Sequence, residues 1–322
     1  MSATLPTISV IVPTRNRPSD MQRTLDSLSR VEYPQWELLV VDQSDDTTTQ
    51  TLVESFAERL PNLRYRSLRL KGVSRARNAG IAETKGEIIA LLDDDCTVGS
   101  DWLIQVAEAF ARHPKADMVL GELRPANGLP EWSEDGWTPA RLFPVEVEVR
   151  AKGNLRQHLR MWPHFMGNGA CMFMRRELAQ RIGPFDVHFG PVGHFQTAED
   201  GDYIYRTYMA GCSVVCTPAI VAAHHGLRDY SSGAASRLIR AYQYGIAAYF
   251  MKALRSGDPI ALVWILYEIW GALGRINVKN ILLRRGPSGL LPLSTFVSGL
   301  ARSFMLRIDH ERHLHVARTI RL

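Results

Sequence analysis

The segment Glu87–Thr97, EIIALLDDDCT, runs from an apolar stretch straight into three carboxylates, Asp93, Asp94 and Asp95. Adjacent carboxylates repel one another, so a counter-charge has to offset them. A hard divalent cation such as Mg2+ or Mn2+ does so through oxygen ligands and keeps positions open for phosphate oxygens. In extended backbone Asp93 and Asp95 point to one side and Asp94 to the other. The outer pair can then share a metal while the middle acid contacts something else. A solvated acidic turn is the plain alternative for any single Asp-x-Asp. A second acidic centre, Glu199, Asp200 and Asp202, precedes an expected helix over residues 203–210. Acids at a helix start are favoured by the dipole and often only cap it.

The elements that position these acids read as alternating strands and helices. Ile8–Val12 is a β-branched run closed by Pro13, and Thr14–Pro18 is the loop after it. A helix is expected over residues 21–29, a strand over 36–41 ending at Asp42, a helix over 48–59 and a strand over 63–68. The segment GVSRARNAG (72–80) leads into a helix, and Lys85-Gly86 turns the chain into the strand before Asp93. An amphipathic helix over 101–112 and a strand from Met118 follow. This alternation implies a doubly wound, mostly parallel α/β sheet with helices on both faces, whose ligands bind at the carboxyl ends of the strands. Thr14–Arg17, Asp42–Asp46 and Asp93–Asp95 each follow a strand directly and should gather at one edge. Arg75 and Arg77 could offer forked donors to a phosphate; a surface ion pair with Glu83 or Glu87 is the alternative.

Further along, residues 121–163 form a long irregular segment containing Trp132, Trp137 and Trp162, suited either to stacking on a ligand's ring or to pinning the loop. Gly167 and Gly169 permit close backbone approach before a strand over 171–174. A helix over 176–182 stops at Gly183-Pro184-Phe185-Asp186, short strands are expected over 213–215 and 219–223, and His224-His225 comes next.

With 322 residues, the chain has ample core, and 46% hydrophobic and 22% charged residues are ordinary for a globular protein. Its four cysteines form no Cys-x-x-Cys pair, which argues against a metal cluster or disulfide framework and fits a reducing compartment. No signal-peptide pattern opens the sequence. The net charge of +5 is unevenly placed: from Gly226 onward there are 14 Lys/Arg against 5 Asp/Glu, and before it 24 against 28.

The ordered motifs VIVPTRNRP, VVDQSDD, GVSRARNAG, IIALLDDD, GPFD and EDGDYIYR resemble those of family 2 glycosyltransferases with the GT-A fold, over roughly residues 8–225. The resemblance implies an inverting, metal-dependent enzyme using a nucleoside diphosphate sugar, with UDP the default and GDP and dTDP open. It places Pro13, Thr14 and Arg15 near the base and ribose, Asp42 on the base or ribose, and Arg75 near the diphosphate. It puts Asp93, Asp94 and Asp95 at the metal and sugar, with Asp95 the main metal ligand. Asp200 matches the usual base, Glu199 its acceptor-contacting neighbour, and Asp202 is the reserve base. His224 or His225 would complete the metal site. The family more often has an acid where this chain has Gln43.

Residues 1–225 are therefore read as the catalytic domain and 226–322 as a basic amphipathic helical region. In the latter, Leu238, Tyr242, Ile246, Tyr249 and Ala253 follow helical spacing, flanked by Arg237, Arg240, Lys252 and Arg255. Residues 260–273 are apolar apart from Glu268, yet shorter than the ~20 residues of a spanning helix. Arg275, Lys279, Arg284 and Arg285 follow, then a second apolar stretch over 290–306. Apolar faces with Trp bordered by Arg and Lys suit helices lying on an anionic bilayer, the alternative being a helical subdomain packed on protein. The expectation is transfer of a sugar to a glycan or lipid-linked acceptor by a cytoplasmic, peripherally membrane-bound enzyme with no nucleic-acid partner, a homo-oligomer being open. Two rivals are a sugar-phosphate nucleotidyltransferase, which would carry a Gly-rich loop where Pro13–Pro18 has no glycine, and a non-catalytic scaffold, which would have lost acids that are present here.

Overall fold

A computed structural model describes residues 5–129, 131, 136–150, 169–226, 228–229, 233–274 and 290–316. Trp132, Trp162, Gly167, Arg275, Lys279, Arg284 and Arg285 lie outside the described residues. The chain divides into two compact units. The first comprises 1–185 and 203–228, the second 186–202 and 229–322.

The first unit is built on a nine-stranded sheet. Its strands are β1 (Ile8–Thr14), β2 (Trp36–Asp42), β3 (Leu63–Ser67), β4 (Ile88–Leu92), β5 (Cys96–Val98) and β6 (Met118–Pro125), followed by β8 (Val147–Arg150), β9 (Cys171–Arg175) and β10 (Ser213–His224). A two-residue strand outside this sheet, β7 (Gly136–Trp137), precedes β8. The order is β3-β2-β1-β4-β9-β6-β10-β5, with β8 on β10. The pairs β1–β2, β1–β4, β2–β3 and β6–β10 are parallel, whereas β9 runs antiparallel to both β4 and β6. The sheet is thus mixed in its second half. Residues expected as two short strands join into the single twelve-residue β10, with a register shift between Cys216 and Val221.

All seven residues of β1 and all five of β4 are buried, as expected of Val/Ile/Leu-rich strands covered on both faces. Pro13 lies within β1 without breaking the sheet, because pairing with β4 ends at Ile11. The helices of this unit are α1 (Pro18–Leu28), α2 (Thr48–Glu54), α3 (Val73–Glu83), α4 (Trp102–Arg112) and α5 (Arg176–Ile182). Pro18 opens α1, where a missing N–H has no effect. Trp102, Leu103, Val106, Ala109 and Phe110 form the buried face of α4.

Helix α6 (Glu199–Met209) starts at the second acidic centre, four residues earlier than the sequence reading, and the division between units falls after Asp202. The second unit carries α7 (Ala234–Arg255), α8 (Ile260–Gly274), α9 (Leu290–Met305) and a hairpin of Arg307–Asp309 with Leu314–Val316. Helices α7 and α9 cross closely at Gly299, where a Cβ would lie 2.9 Å from the Ala247 Cβ. Segment 186–202, read from sequence as part of the first domain, belongs with these helices because Asp186 and Asp202 are tied to Lys252 of α7.

Gly86, at the turn into β4, admits no side chain: a Cβ would stand 2.6 Å from the Ser9 backbone nitrogen. Gly86→Ala should therefore destabilise the protein by about 1–3 kcal/mol through overpacking. In urea unfolding the midpoint should fall with the slope unchanged.

Candidate active site

Parallel register brings the predicted polar clusters to one edge of the first unit. Thr14 pairs with Asp42 across β1 and β2, and β4, on the other side of β1, delivers Asp93. Strand β10 pairs antiparallel with β5, setting His224 opposite Cys96. Thr14, Asp42, Asp93–Asp95 and His224 therefore share the edge where β1, β2 and β4 end.

The three acids sit in the turn between β4 and β5, not in a strand. Strand alternation consequently does not apply, and the grouping differs from the outer-pair expectation. Asp94 and Asp95 are both buried and share one cation: Arg17 Nη1 lies 3.3 Å from Asp94 Oδ1 and 3.3 Å from Asp95 Oδ2. Thr14 Oγ1 donates to Asp94 Oδ2 at 2.7 Å. Asp93 is held separately by Arg77, whose Nη2 is 3.0 Å from Asp93 Oδ1. Thr24 of α1 fixes the turn, its hydroxyl lying 2.8 Å from the carbonyls of Asp94 and Cys96. Burial, the largest influence, pushes the Asp94 carboxyl up to about 7; Arg17 pulls it down and the Asp95 charge adds to the rise.

Arg77 is 2% exposed, with its guanidinium 5.6 Å from the centre of the Phe185 ring. A Cβ on Gly169 would lie 2.5 Å from this guanidinium, so the glycine makes room for it. The surface alternative for the arginines does not occur here, since Glu83 pairs with Arg66 and Glu87 accepts from Thr7. Arg75 stands in the first turn of α3, half-buried.

The two histidines part company. His224 is buried with Nε2 3.4 Å from Asp95 Oδ1. His225 turns its ring to Thr97, Nε2 to Oγ1 at 2.9 Å, and donates its backbone N–H to the Asp95 carbonyl at 2.9 Å. His224 is accordingly the histidine that accompanies the acids. The Gly226 amide donates to His224 Nδ1 at 3.0 Å, which makes Nε2 the protonated nitrogen and a donor to Asp95.

Asp42 is buried. Its oxygens accept from the Ser44 amide at 2.8 Å and the Tyr65 hydroxyl at 2.9 Å, so a base or ribose would use its remaining lone pairs. Gln43 explains its own departure from the family pattern. Its Oε1 accepts from the Gly72 amide at 3.1 Å and its Nε2 donates to the Gly72 carbonyl at 3.2 Å. A carboxylate could accept but not donate. Gly72, at φ 121, begins the turn into α3, so Gln43 sets the start of the helix carrying Arg75 and Arg77. Arg15 lies 3.9 Å from exposed Asp45.

Arg17, Tyr65 and Thr24 were not singled out as site residues in the sequence reading. The signal for Arg17 was present, because it belongs to the same loop as Thr14 and Arg15.

In the second unit, Glu199 and Asp200 are half-buried in the first turn of α6, and Asp200 Oδ1 accepts from the Gly201 amide at 2.7 Å. Asp202 differs: it is 1% exposed, with Oδ1 2.5 Å from Lys252 Nζ. That ion pair removes it from the position of a reserve base. Lys252, read from sequence as flanking the apolar positions of its helix, is itself 2% exposed.

This fold is that of known proteins. The sequence profile described as Glycosyl transferase family 2 matches residues 9–183, more than half of the chain, and the chain belongs to that family. Glycosyltransferase AglE of Haloferax volcanii is 27% identical over 210 residues, 63% of this chain and 64% of that protein. Succinoglycan biosynthesis protein ExoM of Rhizobium meliloti is 29% identical over 218 residues, 66% of this chain and 64% of that protein. The chain thus spans just under two thirds of the length of either relative. The solved structure of mannosyltransferase PcManGT from Pyrobaculum calidifontis, a complex with GDP-Man and Mn2+, has TM-score 0.59 and 20% identity, covering 94% of this chain and 76% of that one. The fold is the GT-A fold that the resemblance implied.

The raised Asp94 carboxyl has a consequence for stability. The folded state keeps a proton that the unfolded chain releases near pH 4, so the contribution of this group is full at low pH and lost as pH rises towards about 7. Asp94→Asn cannot ionise. Its melting temperature relative to wild type should therefore be higher at pH 8 than at pH 5 in scanning calorimetry. A difference that stays constant with pH would remove Asp94 as the source.

Proposed function

We propose that the chain is an inverting glycosyltransferase that moves a sugar from a nucleoside diphosphate sugar to a hydroxyl of a glycan or lipid-linked acceptor, in cell-surface polysaccharide or glycolipid synthesis. The observation that carries this reading is the convergence of Thr14, Asp42, Asp93–Asp95 and His224 at one strand edge in a chain of this family. Pro13, Thr14, Arg15 and Asp42 receive the nucleoside, and Arg75 the diphosphate. Arg17 adds a second guanidinium, set against Asp94 and Asp95.

The donor set fits a hard divalent cation in part. Among the described residues no three acidic, His or Cys side chains already form a metal cluster. Asp95 and His224 lie together, however, and cations such as Mg2+ commonly take one or two carboxylates plus phosphate oxygens. Asp95 and Asp93 would hold the ion, and His224 would join through Nε2 only in the tautomer that carries its proton on Nδ1, at the cost of the Gly226 amide bond. Bound there, Mg2+ or Mn2+ would neutralise the diphosphate and the charge developing on it as it leaves.

Asp200 is the base. It takes the proton of the acceptor hydroxyl as that oxygen attacks the anomeric carbon, and the nucleoside diphosphate departs on the opposite side with inversion. Glu199 contacts the acceptor. The family resemblance favours UDP, while the PcManGT complex holds GDP-Man, so the base is decided by binding.

Titration calorimetry with UDP, GDP and dTDP, each with and without Mn2+, tests the reading. One nucleotide should bind in a metal-dependent manner, and Asp95→Asn should abolish the metal dependence. Asp200→Asn should retain nucleotide binding and lose transfer by two orders of magnitude or more, the range of general-base contributions. Absence of binding by the folded protein would favour the scaffold reading.

Membrane attachment belongs to the same proposal. No helix among the described residues is long and apolar enough to cross a membrane. Along α8, Leu262, Leu266, Trp270 and Leu273 form one exposed stripe, Trp270 at 75%, while Ala261, Trp264, Ile265 and Ala272 pack inward. An exposed apolar face on a strongly basic region suits an anionic bilayer surface, with Trp at the headgroup level. The protein should float with phosphatidylserine-containing vesicles far better than with neutral ones, and Trp270→Ser with Leu266→Ser should reduce flotation several-fold. Equal recovery with neutral vesicles, or concentration-dependent self-association removed by the same substitutions, would assign this face to a protein partner.

A further inference from the structure

The second unit buries an ionic cluster that the reaction above leaves unused. Asp186 is its centre. Its Oδ2 accepts from Lys252 Nζ at 3.0 Å and from the His315 amide at 2.9 Å, and lies 3.0 Å from His315 Nδ1. Its Oδ1 accepts from the His188 amide and faces His188 Nδ1, each at 3.0 Å. Lys252 Nζ also reaches Asp202 and stands 4.9 Å from the centre of the Phe189 ring. Ser303 of α9 lies 3.0 Å from the far nitrogen of His315 and donates to the Ala248 carbonyl of α7 at 2.8 Å. The cluster therefore joins the loop after Phe185, the first turn of α6, α7, α9 and the hairpin.

Burying charge is costly even when it is paired, and an apolar replacement of similar volume is often no less stable. The placement of this charge is informative. Asp202 lies two residues after Asp200 in the same helical turn. The backbone leading into that turn is left-handed at Gln196 (φ 60) and Ala198 (φ 68), a conformation that persists in side-chain-bearing residues only where the surroundings enforce it. Helix α7 supplies two such constraints two turns apart. At Gly245 it approaches so closely that a Cβ would lie 2.9 Å from the Thr197 carbonyl oxygen and 3.0 Å from the Ala198 Cβ. At Lys252 it grips Asp202.

We propose that Lys252, through its bridge to Asp202 and Asp186, is a positioning residue for the acceptor-side base. It clamps the first turn of α6 so that Glu199 and Asp200 are presented in one orientation. Gly245 shapes the turn before them, and Asp202 is the handle by which the clamp acts. This inference rests on the reading of Asp200 as the base. It assigns the third acid of the EDGD segment a role distinct from proton transfer.

The test compares three forms of the full chain: wild type, Asp202→Asn and Asp200→Asn. UDP-glucose, UDP-N-acetylglucosamine and GDP-mannose serve as donors, and hydrogen exchange of residues 196–203 is followed in parallel without substrate. Asp202→Asn keeps the Asp186–Lys252 pair and should fold. A clamp predicts that its kcat falls at least tenfold with donor KM within twofold of wild type, and that exchange over 196–203 quickens while the rest of α7 is unchanged. Wild-type kcat and wild-type exchange would overturn the proposal and leave the cluster a stabilising role only. Should the single variant not fold, Asp202→Leu combined with Lys252→Met and Asp186→Asn removes the bridge without leaving a buried carboxylate that has lost its cation, and the same two readouts apply. Normal turnover in Asp200→Asn would instead remove the base assignment; loss there with full activity in Asp202→Asn removes only the clamp.

Discussion

Three carboxylates in a row at the end of a buried strand repel one another, two of them out of water, and the first unit is arranged around that constraint. Arg17 comes from the loop after β1 and Arg77 from α3; they divide the acids between them, Arg17 taking Asp94 and Asp95 and Arg77 taking Asp93. Thr14 and Thr24 add hydroxyl donors to the same turn. Each partner in turn needs support. Arg77 can be buried only because Gly169 has no side chain and because Phe185 offers a ring face. Arg17 is correctly aimed because Pro18 starts α1 at once after it. The acids thus account for features spread over much of the first unit.

Much of this was legible in the sequence, for identifiable reasons. Strands β1, β2 and β4 announce themselves as short β-branched or aliphatic runs, and each ends in a polar cluster. Once they are parallel neighbours, convergence of Thr14, Asp42 and Asp93 follows from topology alone. The antiparallel insertion of β9 between β4 and β6 was not legible, because a five-residue apolar run carries no mark of direction. The pairing of Arg17 with two acids depends on a turn geometry that strand alternation misrepresents. Gln43 looked like a departure from a pattern until its contact with Gly72 was seen; the amide does what an acid in that place could not.

The second unit shows the opposite balance. Helical spacing predicted α7 and an apolar run marked α8, yet spacing reports direction around a helix and not depth. Lys252 therefore read as a flanking charge although it lies at the heart of the unit, while the apolar stripe of Leu266 and Trp270 is exposed. Arg255, grouped with it in sequence, also turns inward and donates to the Ser303 and Leu306 carbonyls at 3.0 and 2.6 Å. Some of the positive charge of this region therefore serves the fold, and the charge left for an anionic surface is smaller than the count of +9 from Gly226 onward suggests. Asp186 read as a helix stop because it follows Gly183-Pro184, and nothing local marks it as the partner of residues as distant as Lys252 and His315.

The two arginines at the carboxylate turn are not equivalent, and the difference bears on how a cationic ligand would be received. Arg77 is enclosed by a ring face and by backbone at Gly169, so moving it means disturbing packed structure. Arg17 has a side chain 45% exposed and meets Asp94 and Asp95 at 3.3 Å, at the long end of hydrogen-bond distance. Its outer side reaches solvent while both acids are buried, so those acids need a counter-charge but Arg17 is free to swing away when an incoming divalent charge supplies it. The charge balancing Asp93 is therefore fixed and the charge balancing Asp95 is exchangeable. The acid beside His224 is the one whose counter-ion can be displaced, and a released Arg17 stays tethered within one side-chain length of whatever displaced it. The exchange would need no motion of the sheet.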